Sequence, residues 1–161
     1  MYKILPLLFI SLLFISCTSK NSALKYFKKD EIRAKAIQNT KKTDILKNNE
    51  PELIFWATYI NNVDRKKYDL EKETFLVSIY FVNAQTQDLF ENSYNLSLNS
   101  QKYLSIKKLD KDDKNYANLM LKNNWGNYYL VEFKKQKDIY DLKLKLFNQN
   151  SSWAQLEFEK Y

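Results

Sequence analysis

Between residues 42 and 161, apolar side chains recur at every second position in short runs. This is the period that lets an extended strand turn one face to a core and the other to water. Thr74 to Val82 is the strongest run, rich in aromatic and β-branched residues, with Phe75, Val77, Ile79 and Phe81 expected to face the core. Glu52 to Ile60 alternates Leu53, Phe55, Ala57 and Tyr59 against Ile54, Trp56, Thr58 and Ile60. It is apolar on both faces and reads as a central strand. Lys42 to Lys47, Tyr94 to Leu98 and Lys102 to Leu109 read as further, more exposed strands. In the last third, Tyr129, Val131 and Phe133, then Tyr140, Leu142, Leu144 and Leu146, then Ala154, Leu156 and Phe158 predict three strands in an antiparallel meander with one wet face. About seven to nine short strands with frequent turns predict an all-β chain folded as an antiparallel immunoglobulin-like β-sandwich.

The turns are written in asparagine. Asn48-Asn49-Glu50-Pro51 and Asn123-Asn124-Trp125-Gly126 break the alternation, and the second holds the only glycine of the chain. Positive φ, which other proteins give to glycine, is expected here at Asn, which tolerates it better than other side chains.

The N-terminus has a different pattern. Lys3 precedes an apolar run from Ile4 to Ile15, and its 12 residues, interrupted by Pro6 and Ser11, fall short of the roughly 18 to 20 that a membrane-spanning helix needs. The run ends at Phe14-Ile15-Ser16-Cys17, with the only cysteine of the chain. Charge, apolar run and small residue before cysteine have the layout of a secretory signal peptide. The ending resembles the lipobox of bacterial lipoproteins, with Phe14 where that family usually has Leu. The resemblance implies cleavage between Ser16 and Cys17 and a lipid on the Cys17 sulfur; a plain secretory signal is the alternative. Thr18 in place of Asp, by resemblance to Gram-negative lipoproteins, implies the periplasmic face of the outer membrane. The chain then divides into a signal peptide over residues 1–16, a lipid-anchored basic tether over 17–41 and a β-sandwich domain over 42–161.

Within the tether, Ser22 is placed to cap a helix running to about Thr40, with Leu24, Phe27, Ala34 and Ile37 near helical spacing on one side. Lys25, Lys28, Lys29, Arg33 and Lys35 are its candidate contacts with an anionic membrane surface, the alternative being a solvated helix face. The charge is concentrated there. From Thr18 to Lys47 nine Lys or Arg stand against three acidic residues, whereas from Asn48 to Tyr161 there are 16 of each sign. A nucleic-acid-binding domain carries its basic patch on the folded body, so no nucleic-acid partner is expected.

Chemistry is constrained by what is missing. The chain has no histidine, which removes the commonest general base and the commonest metal ligand, and Cys17 has no second cysteine to pair with. Asp110, Asp112 and Asp113 begin like a calcium loop, but Lys114, Asn115 and Leu121 stand where such a loop needs Asp or Asn, Gly and Glu. Glu157 and Glu159 share one strand face and read as solvated. No catalytic residue, metal site or cofactor is expected. Trp125 and Tyr128, flanking the glycine, are candidate ligand contacts, unless Trp125 folds back to close the end of the sandwich. These observations favour a non-catalytic, lipid-anchored cell-envelope lipoprotein whose β-sandwich binds an envelope protein partner, or supports an assembly, through a sheet edge or end loops. The alternative is a glycan (peptidoglycan)-binding module around Trp125 or, failing that, a histidine-free hydrolase.

Overall fold

A computed structural model describes residues 30–65, 68, 71–120, 125–150 and 152–161. Residues 32–161 form one compact unit. Among the described residues, nine strands alternate with turns: β1 (Thr40–Lys47), β2 (Glu50–Tyr59), β3 (Lys72–Phe81), β4 (Tyr94–Leu98), β5 (Gln101–Lys102), β6 (Ser105–Leu109), β7 (Asn127–Lys134), β8 (Asp141–Asn148) and β9 (Trp153–Glu159). They make two antiparallel sheets, a larger one in the order β1-β2-β3-β7-β6 and a smaller one in the order β5-β4-β8-β9. The two pack face to face as a β-sandwich, so the immunoglobulin-like expectation holds as architecture: two antiparallel sheets around one core.

The core follows the alternation. Phe75, Val77, Ile79 and Phe81 of β3 are all buried, as are Leu53, Phe55, Ala57 and Tyr59 of β2 and Tyr129, Val131 and Phe133 of β7. Leu142, Leu144 and Leu146, with Ala154, Leu156 and Phe158, close on them from the smaller sheet. Phe75 sits at the hub, with ring centroids 5.0 Å from Tyr59, 6.0 Å from Phe133 and 5.3 Å from Phe158. Burying one such ring contributes about 1.5–3 kcal/mol, and edge-to-face neighbours add to it.

Two expected pairings are corrected. The last three strands are not one meander: β8 and β9 pair in the smaller sheet, while β7 lies between β3 and β6 in the larger. Residues 102–109 are not one strand either. The chain passes from the smaller sheet to the larger between β5 and β6, where Leu104 N–H donates to the Glu132 carbonyl at 2.7 Å. Alternation sets which face a side chain takes, but it does not name the neighbouring strand.

The β1–β2 and β4–β5 turns use asparagine as expected, while Asn123 and Asn124 lie outside the described residues. Asn48 (φ 54°) and Asn49 (φ 65°) make the two-residue β1–β2 turn, and Asn99 (φ 46°) with Ser100 (φ 68°) makes the β4–β5 turn. Two successive positive φ values match the twist that a tight hairpin needs. Gly126, by contrast, has no positive φ; a Cβ there would sit 2.2 Å from the Ile79 carbonyl oxygen. Its role is to let β3 and the entry to β7 approach.

Side-chain amides also finish the ladders. The Gln87 amide both accepts from Phe81 N–H and donates to Phe81 C=O, each at 2.8 Å. Asn61 donates to the Lys72 carbonyl and accepts from Thr74 N–H, and Asn99 does the same with Asp141 and Lys143. Each takes the place of a missing strand neighbour and satisfies backbone groups that would otherwise be unpaired.

A second apolar cluster lies on the outer face of the larger sheet. Helix α1 (residues 30–38) brings Ala36, 1% exposed, and Ile32 against Ile60, Val63, Leu76, Leu109, Leu119, Met120 and Tyr128. The Thr40 hydroxyl ties the helix end to the sheet, donating to the Ala36 carbonyl at 2.6 Å and lying 2.6 Å from the Thr58 hydroxyl. Consequently the buried stripe is Ile32 and Ala36, one turn apart. Of the stripe expected from sequence, Ala34 and Ile37 are exposed, while Leu24 and Phe27 lie outside the described residues. The compact unit therefore includes residues 32–41, ahead of the position 42 expected from strand alternation alone.

Candidate interaction surface

Outward positions of β1, β2 and β3 stand in register. Lys42 faces Trp56, which faces Ser78; Asp44 faces Ile54, which faces Tyr80. Toward one end, this outer face is closed by the second cluster, which reaches Leu76 and Tyr128. Toward the other end, Ile54, Trp56 and Tyr80 are only half-buried, and Trp125, arriving just before β7, is 70% exposed. The Trp125 and Tyr80 rings meet edge to face at 6.2 Å and 77°. Lys42 Nζ lies 5.6 Å over the Trp56 ring and 3.3 Å from Asp44 Oδ1, so the patch has a charged rim. The result is a surface of two tryptophans, a tyrosine and an isoleucine on a rigid sheet, the composition that carries most binding energy at protein interfaces.

Sequence reasoning found part of this patch and paired it wrongly. Trp125 does present its ring to the surface, whereas Tyr128 is 3% exposed inside the second cluster and has no face to offer a ligand. Only two residues separate them, but β7 begins between them. Parity along β2 and β3 was the usable signal, since Trp56 and Tyr80 occupy the positions opposite to the core-facing ones.

Of the candidate membrane contacts, Arg33 and Lys35 are exposed on α1; Lys25, Lys28 and Lys29 lie outside the described residues, as do Ser16 and Cys17. Among the described residues no group of three or more acidic, histidine or cysteine side chains is arranged to hold a metal ion. Asp113 is used as a turn former instead, its carboxylate accepting from Asn115 N–H at 2.9 Å. Glu157 and Glu159 project from the exposed face of β9.

The strongest polar constellation was not foreseen. Glu73, 2% exposed, points into the core from the start of β3. Its Oε2 accepts from the Tyr59 hydroxyl at 2.5 Å; its Oε1 lies 2.7 Å from Lys160 Nζ and accepts from Gln136 N–H at 3.3 Å. Lys160 also donates to the Gln136 carbonyl, and the Gln136 side chain receives Asn99 Nδ2 at 2.6 Å and donates to the Leu98 carbonyl at 3.3 Å. Burial, then the Glu73 hydrogen bond and charge, push the Tyr59 phenol far above its ordinary range, against an opposing effect of Arg65. Both carboxylate oxygens are thus occupied from within, and the network joins β2, β3, the β7–β8 connection and the residue after β9. It is a tie between the sheets. The signal for it was parity again: Glu73 continues the inward series of Phe75 and Val77, and Lys160 that of Leu156 and Phe158.

No protein-family model, no curated protein and no solved structure matches the chain.

Proposed function

We propose that the chain is a non-catalytic, lipid-anchored lipoprotein of the bacterial cell envelope whose β-sandwich holds a partner protein on the aromatic end of the larger sheet. The observation that carries the reading is the cluster of Ile54, Trp56, Tyr80 and exposed Trp125 on one rigid face. The anchor is the lipid expected on Cys17, at the periplasmic face of the outer membrane, and the basic residues of the tether orient the domain at the surface.

A face serves this role better than an edge here. β5 is two residues long, β6 carries exposed Lys107 and Lys108, and the edge strands β1 and β9 lie against each other, with Lys41 Nζ 5.8 Å over the Phe158 ring. Short, charged or covered edges resist strand addition. The non-catalytic part rests on the lack of histidine and on a buried carboxylate whose oxygens are both engaged.

A crosslinked pull-down from solubilised envelopes, comparing the intact protein with Cys17→Ala and with Trp56→Ser/Trp125→Ser, tests both parts. One envelope protein recovered in near-equal amount with the intact chain and lost with either variant is the expected result. Undiminished recovery with the tryptophan variant, at unchanged Tm, removes the surface from the reading; an unmodified Cys17 thiol by mass spectrometry removes the anchor.

A further inference from the structure

The outer face of the smaller sheet carries an aromatic row of its own. Asn95 of β4 stands opposite Phe147 of β8, and Phe147 stands opposite Trp153 of β9. All three point outward, since their neighbours Leu96, Leu146 and Ala154 are the buried ones. Trp153 is 58% exposed, with Lys145 Nζ 4.8 Å over its ring, and Phe147 is half-buried. Where this row meets the loop before β4, a groove of about 410 Å³ opens, lined by Phe147 and by Phe90, which is 48% exposed. That volume lies within the roughly 300–1,000 Å³ usual for ligand sites. Ser93, Asn95 and Gln149 are among its other lining residues, and no charged side chain of the described residues lines it.

Two features limit what such a groove accepts. An uncharged lining with two phenyl rings favours an apolar group over an ion, which loses hydration there and gains no countercharge. The polar members are amides. Gln149 makes no side-chain hydrogen bond among the described residues, and Asn95 uses only its carbonyl, on Leu96 N–H at 2.9 Å. Elsewhere in this chain such amides clasp extended backbone: Gln87 takes both groups of Phe81, Asn61 takes Lys72 and Thr74, and Asn99 takes Asp141 and Lys143. A clasp of this kind needs a neighbouring N–H and C=O, which an extended peptide supplies.

We infer that this groove holds an extended, uncharged peptide segment of a partner, with one bulky apolar side chain seated against Phe90 and Phe147 and the backbone clasped by Gln149. Trp153, next to Phe147, continues the apolar surface for a flanking side chain. In peptide recognition, backbone hydrogen bonds supply affinity and side-chain pockets supply specificity. The groove belongs to the smaller sheet, whereas Trp56 and Tyr80 lie on the larger one. The inference therefore stands apart from the partner-binding surface proposed above, and Trp125→Ser leaves the groove unchanged.

The test is a titration of the full-length protein in detergent with capped pentapeptides Gly-Ser-Xaa-Ser-Gly in which Xaa is Phe, Leu, Gly, Lys or Glu, followed by the Gln149 side-chain amide and Trp153 indole resonances. The Phe and Leu peptides are expected to bind with Kd of about 1 mM or tighter and to shift both resonances, and the Gly, Lys and Glu peptides to bind at least about tenfold more weakly, the effect of burying one apolar side chain. Phe90→Ser is expected to weaken the Phe peptide about tenfold, and Gln149→Ala to weaken the Phe and Leu peptides about fivefold, the effect of one hydrogen bond. Both residues are exposed, so the Tm of each variant is expected to stay within a few degrees of the parent's. Binding of no peptide at about 10 mM overturns the assignment. So does equal binding of the Phe and Gly peptides, binding that neither variant changes, loss of binding in Trp125→Ser, or tighter binding of cellobiose than of the Phe peptide.

Discussion

Lys160 Nζ lies 2.7 Å from Glu73 Oε1, with side-chain exposures of 16% and 2%. The residue after the last strand thus supplies the countercharge to a carboxylate at the start of β3, 87 positions earlier. Removing one member of a buried ion pair strands the other and costs about 3–5 kcal/mol, whereas replacing both by apolar groups is often neutral. Lys160→Met is therefore expected to lower stability by about 3 kcal/mol. Glu73→Leu/Lys160→Met recovers most of that loss, apart from what the Tyr59 hydroxyl forfeits. Urea unfolding midpoints of the two variants check the difference.

High pH is expected to loosen both that tie, through Tyr59, and the outer-face cluster, through Tyr68. Burial, reinforced by Glu73, raises the Tyr59 pKa; burial, then Tyr116 and Asp64, raises that of Tyr68 from 10.0 to about 12. A raised folded pKa means that the folded state holds the proton more tightly. The resulting stability is complete below pH 10 and is lost as pH rises, for Tyr68 between 10 and about 12. Chemical-denaturation midpoints should be flat in mild alkali and fall across that window. Tyrosinate absorbance should then appear in two groups, the buried rings ionising only with unfolding.

Gly126→Ala is expected to be among the most damaging single-methyl changes. The added Cβ would meet the Ile79 carbonyl oxygen at 2.2 Å and its carbon at 2.8 Å, both backbone atoms in the central strand. Backbone cannot swing aside as a side chain can, so the cost is put at the upper end of overpacking, about 3 kcal/mol. A Tm shift of only a degree or two would show that β3 and β7 can part at no cost.

The β1–β2 turn offers a milder test. Asn49 at φ 65° is the second of two left-handed residues, a position where glycine is strain-free. Asn49→Gly is expected to be neutral or slightly stabilising, and Asn49→Ala to cost about 1 kcal/mol. Equal stability of the two would mean that this turn does not hold both residues at positive φ.

Much of this was legible before any coordinates. The inward series of β2, β3, β8 and β9 could be read directly, because a period of two is enforced residue by residue. The same parity, extended one position beyond the apolar residues, marks Glu73 and Lys160 as inward-facing charges that need partners. Trp56 and Tyr80 could be found as the outward members of otherwise buried strands. What could not be read was the company each strand keeps. Nothing local in β7 says that it joins β3 rather than β8, and so nothing local hides Tyr128 while exposing Trp125.

By itself, the sequence determined the all-β class, the faces of the long strands and the asparagine of the tight turns, all of which depend on backbone preference and near-neighbour period. Only the tertiary structure decided the strand order, the packing of Ile32 and Ala36 onto the outer face, the Glu73–Lys160 tie and the groove at Phe90 and Phe147. Each of these joins residues far apart in the chain. Their pairing follows from how two sheets share one core, a constraint that no stretch of ten residues contains.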